Sequence, residues 1–412
     1  MVTAAPLTRP AQTLSRWAVV ALGVSIPVST ALDNVLLVIV LAAWALSGQA
    51  RKTTENIFKN KRLWPPILLF MLLAVGTLYS EVPWRSALAH LWKYADLLFI
   101  PVFAMAFREH QTRRSALLGF AVAIAATIVL SYLIRFGLLP KLPFITSDGI
   151  SPTVFKLKVT HNIFVAFGAF LFLWLGSTTA DWRLRVLWYA LALLSALNVL
   201  LLVQGATGYV TLAALGLLWG VMRLERAGAI RMALIGAGIA AALVLIPSPF
   251  QQRIVLIWQE VQLWRSGSPA AEATSSGQRL EYYKNTLAVI KAHPLIGVGT
   301  GGFPNAYAQQ VKGTGKQETH NPHNEFLNIT AQIGIAGLLV LIAMFWMQWR
   351  TARQLATPME QALARGLVLT LVSGCLVNSL LLDHAEGLFY AWMSGLLYGG
   401  LKYPPDKLPA RT

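Results

Sequence analysis

Twelve apolar runs of 14 to 22 residues fill most of this chain, and they restrict it to a bundle of membrane-crossing helices. They cover residues 17–32, 34–48, 64–79, 88–107, 116–137, 161–176, 186–203, 208–222, 232–247, 326–347, 365–382 and 388–401. About 20 apolar residues cross a bilayer core, and shorter or tilted segments do so inside a polytopic bundle. Hydrophobic residues make up 56% of the chain and charged ones only 12%, about half the charge of a soluble domain. A water-soluble fold is thereby excluded. The net charge of +17 does not indicate nucleic acid, because the Lys and Arg residues are scattered between apolar runs and form no solvated face. A single cysteine, Cys375, excludes an intrachain disulfide, an iron–sulfur cluster and a thiolate metal site; it reads as a small core residue.

Orientation follows from the basic residues, which favour the cytoplasmic side. With the N-terminus there, twenty-one of the 34 Lys and Arg fall on cytoplasmic segments and both termini are cytoplasmic. The N-terminal apolar stretch flows into a second one without a small-residue cleavage site, so it reads as an anchor and not as a signal peptide. The expected fold is an all-α polytopic membrane protein of about twelve transmembrane helices with one large, partly helical periplasmic loop. Helices one to nine occupy 1–247, the loop domain 248–322, and the last three helices with a tail 323–412. Long loops are functional or disordered, and this one carries a helical pattern from Ser276, as N-cap, to His293, ended by Pro294. The stretch Ser266–Ser276 reads as a flexible link.

The densest group of reactive polar side chains is His320-Asn321-Pro322-His323-Asn324-Glu325, where the loop re-enters the membrane. A histidine there can take a proton at neutral pH, while the bland alternative is that His323 and Asn324 cap the next helix. His320 and His323 are three apart, but no carboxylate or thiol pattern completes a zinc site. The run Gly297-Val298-Gly299-Thr300-Gly301-Gly302 lacks the strand, helix and Gly-Lys-Ser/Thr of a phosphate cradle. It reads as a turn that lets backbone approach backbone.

Three segments occur in order: Ser276-Gly277-Gln278-Arg279, His293-Pro294-Leu295-Ile296-Gly297-Val298-Gly299, and His323-Asn324 followed after nine residues by Gly334 and then Gly337. Their order and placement around one large loop resemble the O-antigen ligase and polymerase superfamily of membrane glycosyltransferases. The ligase branch implies that a glycan moves from undecaprenyl diphosphate to a sugar of the lipid A core, in lipopolysaccharide biosynthesis on the periplasmic face of the bacterial inner membrane. It implies His323 as general base in a metal-independent, inverting displacement, with no cofactor. One departure stands out: a Ser-Arg-Gly near an outer helix end is replaced by Gln204-Gly205-Ala206-Thr207-Gly208-Tyr209, so an arginine is missing.

A diphosphate donor needs cations at the membrane surface, and Arg265 and Arg279 are the best candidates; charge reversal at Arg279 is expected to impair transfer far more than the same change at Arg253 or Lys312, elsewhere in the loop. Lys93, within a span and three residues before Asp96, and Arg85 at a span end are further ones. His320, Asn324, His161 and Asp383 are supporting candidates, Asp383 as a carboxylate able to orient His323. An O-antigen polymerase or protein O-oligosaccharyltransferase would share donor and motif but differ in acceptor. A transporter is a more distant alternative, disfavoured by the scarcity of intramembrane charge.

Overall fold

The computed structural model describes residues 8–59, 61–139, 145–146, 151–224 and 249–401, with a few positions between 228 and 247. Every regular element among them is helical. Helices α1 (Thr8–Val28) and α2 (Thr30–Leu46) form a hairpin that breaks at Ser29, whose hydroxyl accepts the Leu32 amide. There follow α3 (Gln49–Lys59), α4 (Trp64–Gly76), α5 (Trp84–Trp92), α6 (Asp96–Ala106), α7 (His110–Arg135), α8 (Lys158–Thr178), α9 (Trp182–Leu197) and α10 (Ala206–Arg223). After these come α11 (Pro249–Arg265), α12 (Ser275–Ala292), α13 (Phe303–Val311), α14 (Glu325–Thr351), α15 (Pro358–Cys375) and α16 (His384–Tyr398).

Among the described residues, six stretches are long and apolar enough to cross a bilayer: Trp84–Ala106, His110–Arg135, Lys158–Thr178, Trp182–Leu202, Ala206–Arg223 and Glu325–Gln354. A seventh is gained if the bent pair Thr30–Leu46 and Gln49–Glu55 is one span. Helix covers all or part of eleven of the twelve expected runs, while 232–247 lies largely outside the described residues. The run at 365–382 keeps its helix only to Cys375. Beyond it the chain turns inward, burying Leu380 and Leu381 and bringing the polar Asn378 and Ser379 with it.

Lipid tails are as apolar as a protein core, so membrane helices associate through close packing. At the centre, Phe120 of α7 stacks on Phe389 of α16 with centroids 5.3 Å apart, and Phe164 of α8 meets Phe389 at 5.0 Å. A buried ion pair pins an irregular segment beside this core. The Lys156 ammonium donates to the Thr30 hydroxyl at 2.8 Å and lies 3.5 Å from Asp33 Oδ2, holding Ser151–Leu157 against α2.

The segment 249–322 is built from α11, α12 and α13 with turns between them. Its principal helix, α12, is capped by Thr274, whose hydroxyl accepts the Gly277 amide at 3.1 Å. The N-cap is therefore two residues earlier than Ser276, and Arg279 falls in the second turn. The expected flexible link contains a tight helical turn, Pro269–Ala273, on which α12 begins. A side chain at Gly277 would collide with the Ala271 carbonyl, which is why the Ser-Gly-Gln-Arg segment needs its glycine. Helices α12 and α13 pack on α14 through a small second core of Tyr282, Phe303, Tyr307, Val311 and Ala331.

Helix α14 bends at Ile333 and Gly334, where the backbone leaves helical geometry and Gly334 has φ 66. The cause is the segment 294–299, which meets the backbone groups at the bend. The Ile335 amide donates to the Pro294 carbonyl at 3.0 Å, while the Val298 and Gly299 amides donate to Ala331 and Gln332 at 2.9 Å. The glycine-rich run thus brings backbone against backbone, as its composition predicted.

Candidate functional site

Two adjacent cavities open where five helices begin. The first, about 420 Å³, is lined by His323, Asn321, Asn378 and Ser379, by the carboxylates Asp383 and Glu386, and by Leu157 to Thr160 at the start of α8. The second, about 330 Å³, shares Lys158 and Val159 with it and adds Arg253, Arg279, Asn162, Ser275 and Gln204 to Thr207 at the start of α10. Helices α8, α10, α12, α14 and α16 all present their N-terminal ends here. The caps of α8, α10 and α16, which are Leu157, Gly205 and Asp383, make no side-chain cap bond. A helix start leaves amides without intrahelical partners and carries partial positive charge, so it attracts anions. With Lys158, Arg253 and Arg279, the second cavity is a basic lobe.

Backbone geometry aims His323. It has φ 54, the one positive value at a non-glycine among the described residues, a position uncommon enough to suggest function. Its amide donates to Asn321 Oδ1 at 2.8 Å, its carbonyl accepts the Tyr283 hydroxyl at 3.1 Å, and its ring lies 6.2 Å from that of Tyr282, 25° from parallel. The imidazole shares a hydrogen bond with the Asn378 side chain. Asn378 Nδ2 in turn donates to Thr207 Oγ1 at 3.2 Å, linking the two cavities. Burial, and then the nearby Arg279 charge, depress the His323 pKa below 6.5, partly offset by the Asn378 bond. A base held neutral in this way can accept a proton.

The next residues fix this arrangement. Asn324 caps α14, its side-chain oxygen accepting the Leu327 amide at 3.0 Å while its Nδ2 donates to the Leu376 carbonyl. Glu325 is fully buried; one carboxylate oxygen accepts the Tyr94 hydroxyl and the other the Leu381 amide, both at 3.0 Å. Its amide donates to the Asn378 carbonyl. The 376–383 segment is thereby tied to the start of α14 from both sides.

The basic lobe is held by Glu260, which accepts the Ser276 amide at 3.0 Å and lies 3.9 Å from Arg253. Arg279 is half-buried, and burial together with Arg253 lowers its pKa from 12.5, which leaves it a cation at neutral pH.

The other sequence candidates separate. Arg265 is exposed and faces a third cavity with Trp264, on the far side of α12, so it does not join Arg279. His161 is buried inside the bundle with Nε2 3.0 Å from Asn198 Oδ1, and only its neighbour Asn162 reaches the basic lobe. His320 and Arg85 are exposed and line neither lobe. Lys93 ends α5; burial raises the pKa of Asp383, an effect that the Lys93 charge only partly offsets, and Asp96 instead meets His384 Nδ1 at 3.4 Å. Asp383 shares the first cavity with His323, yet Asn378 is the residue bonded to the ring. Among the described residues no group of three or more His, Cys, Asp or Glu is placed to hold a metal ion.

Sequence reasoning passed over Lys158 and Asn378 and read Arg253 as a bystander, whereas it lines the basic lobe with Arg279. The signal available for Asn378 was a polar amide inside an apolar run. Arg253 had no motif to mark it.

The fold and site define an all-helical protein with membrane-spanning helices and a cation-lined double cavity at a convergence of helix starts. Residues 190–342 match the family model described as O-antigen ligase. The matched stretch, from α9 into α14, is therefore similar to a family whose members are glycosyltransferase-like enzymes. No curated protein sequence matches the chain.

Proposed function

We propose that the protein is an O-antigen ligase of the bacterial inner membrane that moves a glycan from undecaprenyl diphosphate to a sugar hydroxyl of the lipid A core. The double cavity faces the periplasm and both termini the cytoplasm. The observation that carries this reading is the division of labour between adjoining lobes: cations and uncapped helix starts in one, a neutral histidine with carboxylates in the other. Such a basic lobe suits a lipid diphosphate, because charge-assisted bonds from guanidinium and amide groups hold it and stabilise it as it departs.

In the proposed step an acceptor hydroxyl gives its proton to His323 and its oxygen attacks the anomeric carbon. The bond from that carbon to the diphosphate oxygen breaks, and undecaprenyl diphosphate leaves with the bonding pair. One displacement inverts the anomeric centre. The carboxylates and amides of the first lobe accept and donate the hydrogen bonds that a polyhydroxylated acceptor requires. The leaving group is already activated, so the step needs no nucleotide.

The test is to incubate purified protein with lipid-linked glycan and rough lipid A core. Higher-mass lipopolysaccharide supports the reading. Its absence, with a lengthened lipid-linked glycan or a glycosylated protein formed when those acceptors are offered, would replace the ligase by a polymerase or protein oligosaccharyltransferase.

A further inference from the structure

The cavity that faces Arg265 measures about 400 Å³ and combines an aromatic ring, Trp264, with two carboxylates, Glu272 and Glu281, and the ammonium groups of Lys284 and Lys316. Its rim is a built turn. Gly267 has φ 69, its amide donates to the Trp264 carbonyl, and the Ser268 amide donates to the Leu263 carbonyl, both at 3.1 Å, so α11 ends in a Schellman turn and the chain doubles back. The polar groups are fixed in advance. Trp264 Nε1 donates to Glu281 Oε2 at 2.9 Å, Asn285 Nδ2 to Glu281 Oε1 at 3.0 Å, and Lys316 Nζ to Glu272 Oε1 at 2.6 Å. With its N–H committed, the indole contributes ring surface to the cavity.

We propose that this cavity binds sugar residues of the donor glycan that lie beyond the reacting one. The inference rests on the glycan-transfer reading of the double cavity. A sugar presents C–H faces that pack on an aromatic ring, and hydroxyls that both donate and accept. A cavity with ring, carboxylates and ammonium groups answers each of these. A polyprenyl tail would want an apolar wall, and a phosphate would have to displace the carboxylates that Lys284 and Lys316 already face, Glu281 and Glu272.

Placement supports the same ligand. Helix α11 carries Arg253 and Leu256 in the basic lobe and Trp264 here; the eight residues from Leu256 to Trp264 rise about 12 Å at 1.5 Å each. A glycan leaving the diphosphate covers that distance within a few rings. Helix α12 is the shared wall, with Ser275 and Arg279 facing the basic lobe and Glu281 and Lys284 facing this cavity.

The experiment compares two donors, undecaprenyl diphosphate bearing one sugar and the same lipid bearing several repeat units, using initial transfer rates against donor concentration. For Trp264→Ala and Lys284→Ala the KM of the long donor is expected to rise about tenfold, with kcat and the KM of the short donor within about twofold. Trp264→Phe, which keeps a ring, should retain most of the long-donor advantage. Equal changes for both donors would overturn the proposal, since the cavity would then act only through α12 and Arg279. A second readout is independent of transfer: saturation-transfer NMR of detergent-solubilised protein with the free repeat-unit oligosaccharide. Binding that Lys284→Ala abolishes supports the site even where no acceptor is glycosylated, a failure that would count against the ligase reading alone. Absence of binding by the unaltered protein would sink the site.

Discussion

Gly334 of α14 lies against the carbonyl of Leu295, so close that a side chain on it would overlap that peptide. The contact joins two sequence motifs: the glycine that follows His323-Asn324 after nine residues is the seat for the His-Pro-Leu segment. Part of what reads as a catalytic signature is a docking joint.

Gly334→Ala should therefore destabilise the protein. The positive φ alone costs on the order of 1–3 kcal/mol for a residue with a side chain, and the overlap adds to it. Thermal unfolding in detergent should shift downward, with transfer activity falling in step. A variant as stable as the parent would mean that the bend tolerates a side chain.

His323→Ala should lower transfer by about 10² to 10⁴, the usual effect of losing a general base, while expression stays near normal. His320→Ala should be mild, because His320 is exposed and outside both lobes. Rates of purified variants at matched amounts decide it. Comparable losses at the two positions would remove His323 from its role.

The pH dependence has a sign that two substitutions should move in opposite directions. His323 is held below the ordinary imidazole pKa, so the acid limb of log kcat against pH should fall below pH 6.5. Replacing Arg279 by Gln removes a repelling charge, which raises the pKa and moves the limb to higher pH. Asn378→Ala removes a bond that favours the protonated ring, so the limb moves lower. Shifts of the same sign would contradict this electrostatic picture.

Charge reversal should separate the loop cations into two groups. Arg279→Glu and Arg253→Glu, which share the basic lobe, should both impair transfer strongly. Lys312→Glu, at an exposed helix end, should cost little. From sequence Arg253 looked like a bystander equal to Lys312; the structure moves it beside Arg279. Initial rates against donor concentration are the measurement, and equal, small effects at all three positions would mean a diffuse field only.

The pair Asp33 and Lys156 offers a stability test. Removing one partner of a buried pair costs about 3–5 kcal/mol, so Lys156→Met should reduce folded yield. The combined Lys156→Met and Asp33→Leu should recover much of it. No recovery would show that the pair does more than brace the segment 151–157.

What was legible in the sequence follows physical range. Helices showed as apolar runs because hydropathy is a local property. His323 and Arg279 showed because each lies within a short segment whose spacing is fixed. Lys158, Arg253 and Asn378 did not, since they meet only after segments 95 to 220 residues apart pack together. Arg265 and His161 were legible as outer polar residues, but sequence does not say which side of α12 a neighbour faces, or that His161 turns inward to Asn198. The offset of Arg279 by half a turn came from reading Ser276 as the cap where Thr274 serves.

The convergence of five helix starts carries a consequence for turnover. Part of the positive potential in the basic lobe belongs to the peptide groups at the uncapped starts of α8 and α10, which neither titrate nor move away. On the proposed reaction the diphosphate gains a negative charge when the sugar leaves, so the lobe grips the spent carrier harder than the loaded one. Such an enzyme finishes its chemistry in a product-inhibited state, and its cycle is paced by how fast the spent lipid diffuses back into the bilayer.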